Sequence, residues 1–169
     1  MLVPDPEAAL KSLGLSLPDA PKPVAAYIPF RRSGNLLFIS GQIAMSEGQL
    51  LAKGSVPGQV SLELAQRCAA QCALNGLAVA KSALGSLAHI KQVIRIGVFV
   101  CSEPGFTDQP KVANSASELL VSIFGEAGRH ARAAVGSIAL PLGSPVEIEF
   151  LFEVESRSQD SGPSVVIHY

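Results

Sequence analysis

Nine residues near the C-terminal end, Val146-Glu147-Ile148-Glu149-Phe150-Leu151-Phe152-Glu153-Val154, place apolar side chains on every even position and three glutamates on odd ones. A period of two is the signature of a β-strand with one face buried, so Glu147, Glu149 and Glu153 share the opposite face. Before it runs a smaller, less regular stretch, Ala131–Ala139, and Leu140-Pro141-Leu142-Gly143-Ser144-Pro145 divides the two with residues that end strands and make turns. Two neighbouring strands are expected here. If they pair with each other, Arg132 at the start of one comes close to Glu147 on the other.

The rest of the chain supplies partners for those strands. Asp5-Pro6-Glu7 caps a short N-terminal helix that Gly14 closes, expected as a peripheral addition. Pro18, Pro21 and Pro23 interrupt regular structure, after which Tyr27–Arg32 and Leu36–Ser40 form a hairpin about Ser33-Gly34-Asn35. Gly41 to Gly58 reads as loop, with a short strand at most around Leu50. From Ser61 to Leu84 small and apolar residues recur at steps of three and four, the stripe of a long helix packed on a sheet, and Gly85 ends it. Gln92–Val100 is expected as a central strand with Val93, Arg95, Gly97 and Phe99 on one face. A second helix, from about Pro110 to Phe124, is stopped by Gly125. The order is ββαβαββ, a single sheet with both helices on one face. Its other face, expected to include Ile28, Phe38, Ile94 or Phe99, and Phe150 or Phe152, then needs cover, and self-association supplies it.

With 169 residues, 48% of them hydrophobic and 16% charged, the chain fits one domain with ample core material. No uncharged apolar run reaches the roughly 18 residues of a membrane span, and Asp5 and Glu7 stand where a signal peptide is basic and apolar, so a cytoplasmic location is expected. Cys68, Cys72 and Cys101 read as buried reduced thiols, because no histidine completes a ligand set with them. A net charge of −1 gives no reason to expect a nucleic-acid partner, which calls for a basic face.

Three separated stretches resemble the YjgF/Rid family of reactive-intermediate deaminases. These are Tyr27 leading into Leu36-Leu37-Phe38-Ile39-Ser40-Gly41-Gln42-Ile43, Asn114 on the second long helix, and Ala131-Arg132 followed by Leu140-Pro141 and Val146-Glu147-Ile148-Glu149. The resemblance covers about Val24 to Val154. It divides the chain into a 1–23 extension, a family domain over 24–154 and a mobile, dispensable tail over 155–169. Tyr27-Ile28-Pro29 departs from the family's Tyr-Ser-Gln, and Ala134 stands where many members have cysteine, so the chain is similar to the larger, less characterised branch.

The resemblance implies a chorismate-mutase-like α+β fold, a homotrimer with sites in the clefts between subunits, and no cofactor or metal. Arg132 then becomes a bidentate clamp on a substrate carboxylate, a task for a planar guanidinium rather than an ammonium. Glu147 manages water or a proton. Tyr27 and Asn114 contribute to substrate binding, and Gly41 and Ala134 offer backbone groups. Read without the family, the same residues are a surface ion-pair arginine, a strand-face glutamate, a packing tyrosine and a turn glycine. Arg129 is the rival guanidinium, in a glycine-rich turn, and His89 and His130 read as structural or exposed. The implied activity is hydrolysis of small carboxylate-bearing imines or enamines of the 2-aminoacrylate kind to 2-keto acids and ammonia. The alternatives are a non-catalytic small-molecule-binding or interaction module on the same cleft, which Ile28-Pro29 and Ala134 favour, and RNA cleavage, which the neutral charge disfavours.

Overall fold

The computed structural model describes residues 5–20 and 27–156. The expected boundary at 23/24 and most of the expected tail, from residue 157 on, lie outside the described residues.

The elements follow the expected order: α1 (Pro6–Ser12), β1 (Phe30–Ser33), β2 (Leu36–Ile43), a small hairpin β3 (Met45–Ser46) and β4 (Gln49–Leu50), α2 (Leu62–Leu84), β5 (Ile90–Cys101), α3 (Gln109–Phe124), β6 (Ala131–Ser137) and β7 (Val146–Val154). Five strands form a mixed sheet in the order β1-β2-β7-β5-β6. This is the α+β architecture expected from the sequence, with α2 and α3 packed on one face. The side-chain stripe of α2 is small where it meets the sheet. A Cβ on Gly76 would overlap the ring of Phe150, so glycine is what lets this helix sit directly on β7. Ser61 caps α2 by accepting the Leu64 N–H at 3.2 Å, and Gly85 closes it at φ 84°. Asn75, buried at mid-helix, donates to the carbonyls of Ile43 (2.9 Å) and Met45 (3.0 Å) and so ties α2 to the end of β2. Cys68, Cys72 and Cys101 are free and buried, and burial pushes the Cys68 thiol up to about 11.

Four expectations are corrected. First, β6 does not pair with β7. It lies at the sheet edge, parallel to β5, while β7 sits between β2 and β5 and is antiparallel to both. The reason is the connection: β5-α3-β6 is a strand–helix–strand crossover, which returns the chain parallel to its starting strand, and the small residues of β6 suit an edge. The five apolar side chains of β7 need cover from helices on a whole face and take the middle. Second, Val93 is on the helix-covered face, because an irregularity between Val93 and Arg95 shifts the alternation of β5. Third, Phe150 and Phe152 are buried beneath the helices, stacked with ring centroids 5.9 Å apart, rather than on the open face. Fourth, α1 is more than peripheral. Asp5 caps it by accepting the Glu7 N–H at 3.0 Å, Leu10 enters the core, and Glu7 pairs with Lys81 of α2 at 3.2 Å.

Candidate functional site

Register decides which side chains share a face. Arg132 is paired with Ile96, and Ile96 with Phe150, so Arg132 points to the helix side of the sheet. There it reaches α3. Its Nη1 donates to Asn114 Oδ1 and to Ser117 Oγ, each at 3.0 Å, and the side chain is otherwise exposed beyond the sheet edge. Ala134, paired with Val98, lies on the same side and half-buried. As an edge strand, β6 also presents alternate backbone N–H and C=O groups with no strand beside them among the described residues.

Glu147 is paired with Phe99 and with Ile43 and belongs to the opposite, open face. A Cβ on Gly41 would overlap its carboxylate, so Gly41 makes the space that Glu147 occupies. The carboxylate is half-buried, and among the described residues no cation pairs with it. Burial, helped by the nearby charge of Glu149, raises its pKa above the ordinary carboxyl range. Glu149 instead pairs with Arg95 at 2.9 Å and fills space left by Gly97, as Glu147 does at Gly41. Tyr27 lines an open groove of about 640 Å³ with Phe38, Ser40, Arg95, Glu149 and Leu151. Arg132 is not among the residues that line it.

One chain therefore brings Arg132 to Asn114, and Gly41 to Glu147, but separates these two pairs by the thickness of the sheet. Arg132 and Glu147, expected as neighbours, are not neighbours within a chain. Arg129 is held by Glu126 in its exposed turn at 2.9 Å. Both histidines are held by hydrogen bonds, as structural residues are. His89 pairs with Glu155 at 2.8 Å, and His130 Nε2 lies 3.0 Å from Ser117 Oγ, the hydroxyl that also holds Arg132. Ser117 lies on α3 and His130, thirteen residues on, stands just before β6, so no spacing motif links them. Only the crossover that sets β6 beside α3 does.

The family model described as "YjgF/chorismate_mutase-like, putative endoribonuclease" matches residues 7–154. The chain belongs to the YjgF/Rid family. Protein TCP17 of Trypanosoma cruzi is 40% identical over 150 residues, 88% of this chain and 94% of that protein. A 2-iminobutanoate/2-iminopropanoate deaminase of Dermatophagoides farinae is 29% identical over 141 residues, 83% of this chain and 95% of the enzyme. Among solved structures, the protein Atu1372 of Agrobacterium tumefaciens, of unknown function, superposes with a TM-score of 0.84 at 46% identity, covering 89% of this chain and 92% of that one. As a YjgF/Rid family member the chain has an α+β fold with a mixed sheet, as the resemblance implied, and the family match takes in most of α1.

Proposed function

We propose that this YjgF/Rid protein hydrolyses reactive 2-imino and 2-enamino acids to 2-keto acids and ammonia, in sites shared between copies of the chain. The observation that carries the reading is Arg132. Asn114 and Ser117 hold its Nη1, while Nη2 and Nε bond neither of them, and a guanidinium anchored on one side and exposed on the other suits a bidentate bond to a carboxylate. Similarity to an enzyme named for 2-imino acids agrees with such a ligand. The opposite placement of Glu147 requires that a site using both residues draw them from two copies, and a homotrimer closed around the open sheet faces meets that requirement.

In this site an enamine first tautomerises to its imine. Water adds to the C=N carbon while Glu147 takes one water proton and passes it to the nitrogen, giving a neutral carbinolamine. The same carboxylate then takes the hydroxyl proton and delivers it to the departing nitrogen as C=O forms and the C–N bond breaks. Ammonia leaves and the 2-keto acid remains, with no net proton, electron or cofactor consumed. The raised pKa of Glu147, a consequence of burial and the nearby Glu149 charge, suits a group that must both accept and return a proton. Positioning and charge neutralisation by Arg132 supply the rest.

The test is ammonia release from 2-aminoacrylate generated enzymatically in the presence of the purified protein. Arg132→Lys replaces a fork by a point charge and removes at least one charge-assisted hydrogen bond of about 1.5–3 kcal/mol, so kcat/KM is expected to fall roughly 10- to 100-fold. Arg129→Lys is expected to be close to neutral, because Glu126 occupies that side chain. Full activity in the Arg132 variant overturns the clamp assignment. A wild type without activity that still binds a 2-keto acid favours the second reading, a small-molecule-binding module. Ile28-Pro29 after Tyr27, and Ala134 at the position often held by cysteine, support that reading.

A further inference from the structure

Behind Arg132 stands a chain of hydrogen bonds with one direction. His130 Nδ1 lies 2.6 Å from the carbonyl oxygen of Gly128, which can only accept, so Nδ1 carries a proton. In a neutral imidazole Nε2 is then an acceptor, and the group facing it at 3.0 Å is the Ser117 hydroxyl, which donates. With its proton turned to His130, Ser117 presents a lone pair to Arg132 Nη1, which donates to it at 3.0 Å. Each link fixes the orientation of the next. We infer that His130 is a positioning residue of the Arg132 clamp: through Ser117 it holds the guanidinium plane so that Nη2 and Nε face outward to the substrate carboxylate.

The inference rests on Arg132 being the clamp. Asn114 alone does not fix that plane, because one acceptor leaves the guanidinium free to pivot about Nη1, and a second acceptor on a different side chain removes that freedom. The surroundings favour a neutral imidazole: burial lowers the affinity of His130 for a second proton, and the Arg132 charge lowers it further, against the pull of the Gly128 carbonyl. Other charges on the elements around it are engaged or turned out. Glu126 and Arg129 pair with each other, Arg95 of β5 pairs with Glu149 on the far face, and Glu118 of α3 is exposed.

Two variants separate positioning from packing. His130→Gln places a carbonyl oxygen near the position of Nε2 and keeps an acceptor for Ser117, whereas His130→Ala removes it. Calorimetric titration of the full-length protein with 2-oxobutanoate is expected to show affinity about tenfold weaker for His130→Ala and within about twofold of wild type for His130→Gln. Nitrogen-resolved NMR of the wild-type imidazole is expected to show the Nδ1–H tautomer at pH 7 and a titration midpoint that rises when 2-oxobutanoate is added. Wild-type affinity in His130→Ala overturns the inference, as does a His130→Gln variant as weak as the alanine one, or an Nε2–H tautomer. A wild type that binds no 2-oxobutanoate overturns the clamp reading itself, and the role given to His130 falls with it. That result differs from clamp binding that is indifferent to His130.

Discussion

Glu147 shows how a single residue trades stability against chemistry. Its carboxyl is half-buried beside Gly41 and Glu149, with no cation paired to it among the described residues, so the folded state favours the protonated form and the pKa is raised. A group whose pKa is higher folded than unfolded contributes stability below the unfolded value, about 4.5, and that contribution is lost as the pH rises through the folded value. Glu147→Gln removes the ionisation while keeping the shape. It is expected to raise the melting temperature above the folded pKa, an advantage that shrinks to nothing below about pH 4.5, and to lose imine hydrolysis at every pH. Parallel melting curves of wild type and variant across pH 3.5 to 8 check the sign. Gly41→Ala acts on the same space from the other strand. Its methyl overlaps the carboxylate, and the expected outcome is a displaced Glu147, lower activity and a cost of about 1–3 kcal/mol for overpacking, read from urea midpoints.

At the scale of elements, the site depends on how closely α2 and α3 approach the sheet. Gly76 lets α2 touch Phe150, and the two carbonyl bonds of Asn75 fix where β2 ends, next to Ile43 and therefore beside Glu147. Asn75→Leu strands two part-buried carbonyls, each costing up to about 1–3 kcal/mol when unsatisfied, and is expected to shift the urea midpoint downward without changing the slope. The N-terminal helix is too short to be stable alone and exists because its one apolar face docks. Leu10→Ala is accordingly expected to cost about 2–5 kcal/mol as a core truncation, where a merely peripheral helix would lose almost nothing. Thermal unfolding of this variant distinguishes the two.

At the scale of the whole molecule, one sheet face is covered by helices and the other carries Phe38, Val135 and the half-buried Leu151 and Phe99. That open face, and a carboxylate separated from its guanidinium by the sheet, both ask for further copies of the chain. Light scattering is expected to give three times the 17.6 kDa chain mass, and a monomer at micromolar concentration removes the shared-site proposal. The local pattern of the chain was enough for the strands, the helices with their glycine stops, the burial of the even-numbered residues of β7 and the resemblance through Arg132, Asn114 and Glu147, because each is written in periods of two or 3.6 or in short motifs. Neighbourhood across the sheet was not. The adjacency of β6 and β7 in sequence suggested pairing between them, whereas β6 lies parallel to β5. Which face Arg132 takes depends on register, and register depends on how all the strands share one hydrophobic core. The link from His130 through Ser117 to Arg132 likewise arises only when α3 packs beside β6, since hydrogen bonds between side chains on different elements leave no period in the sequence.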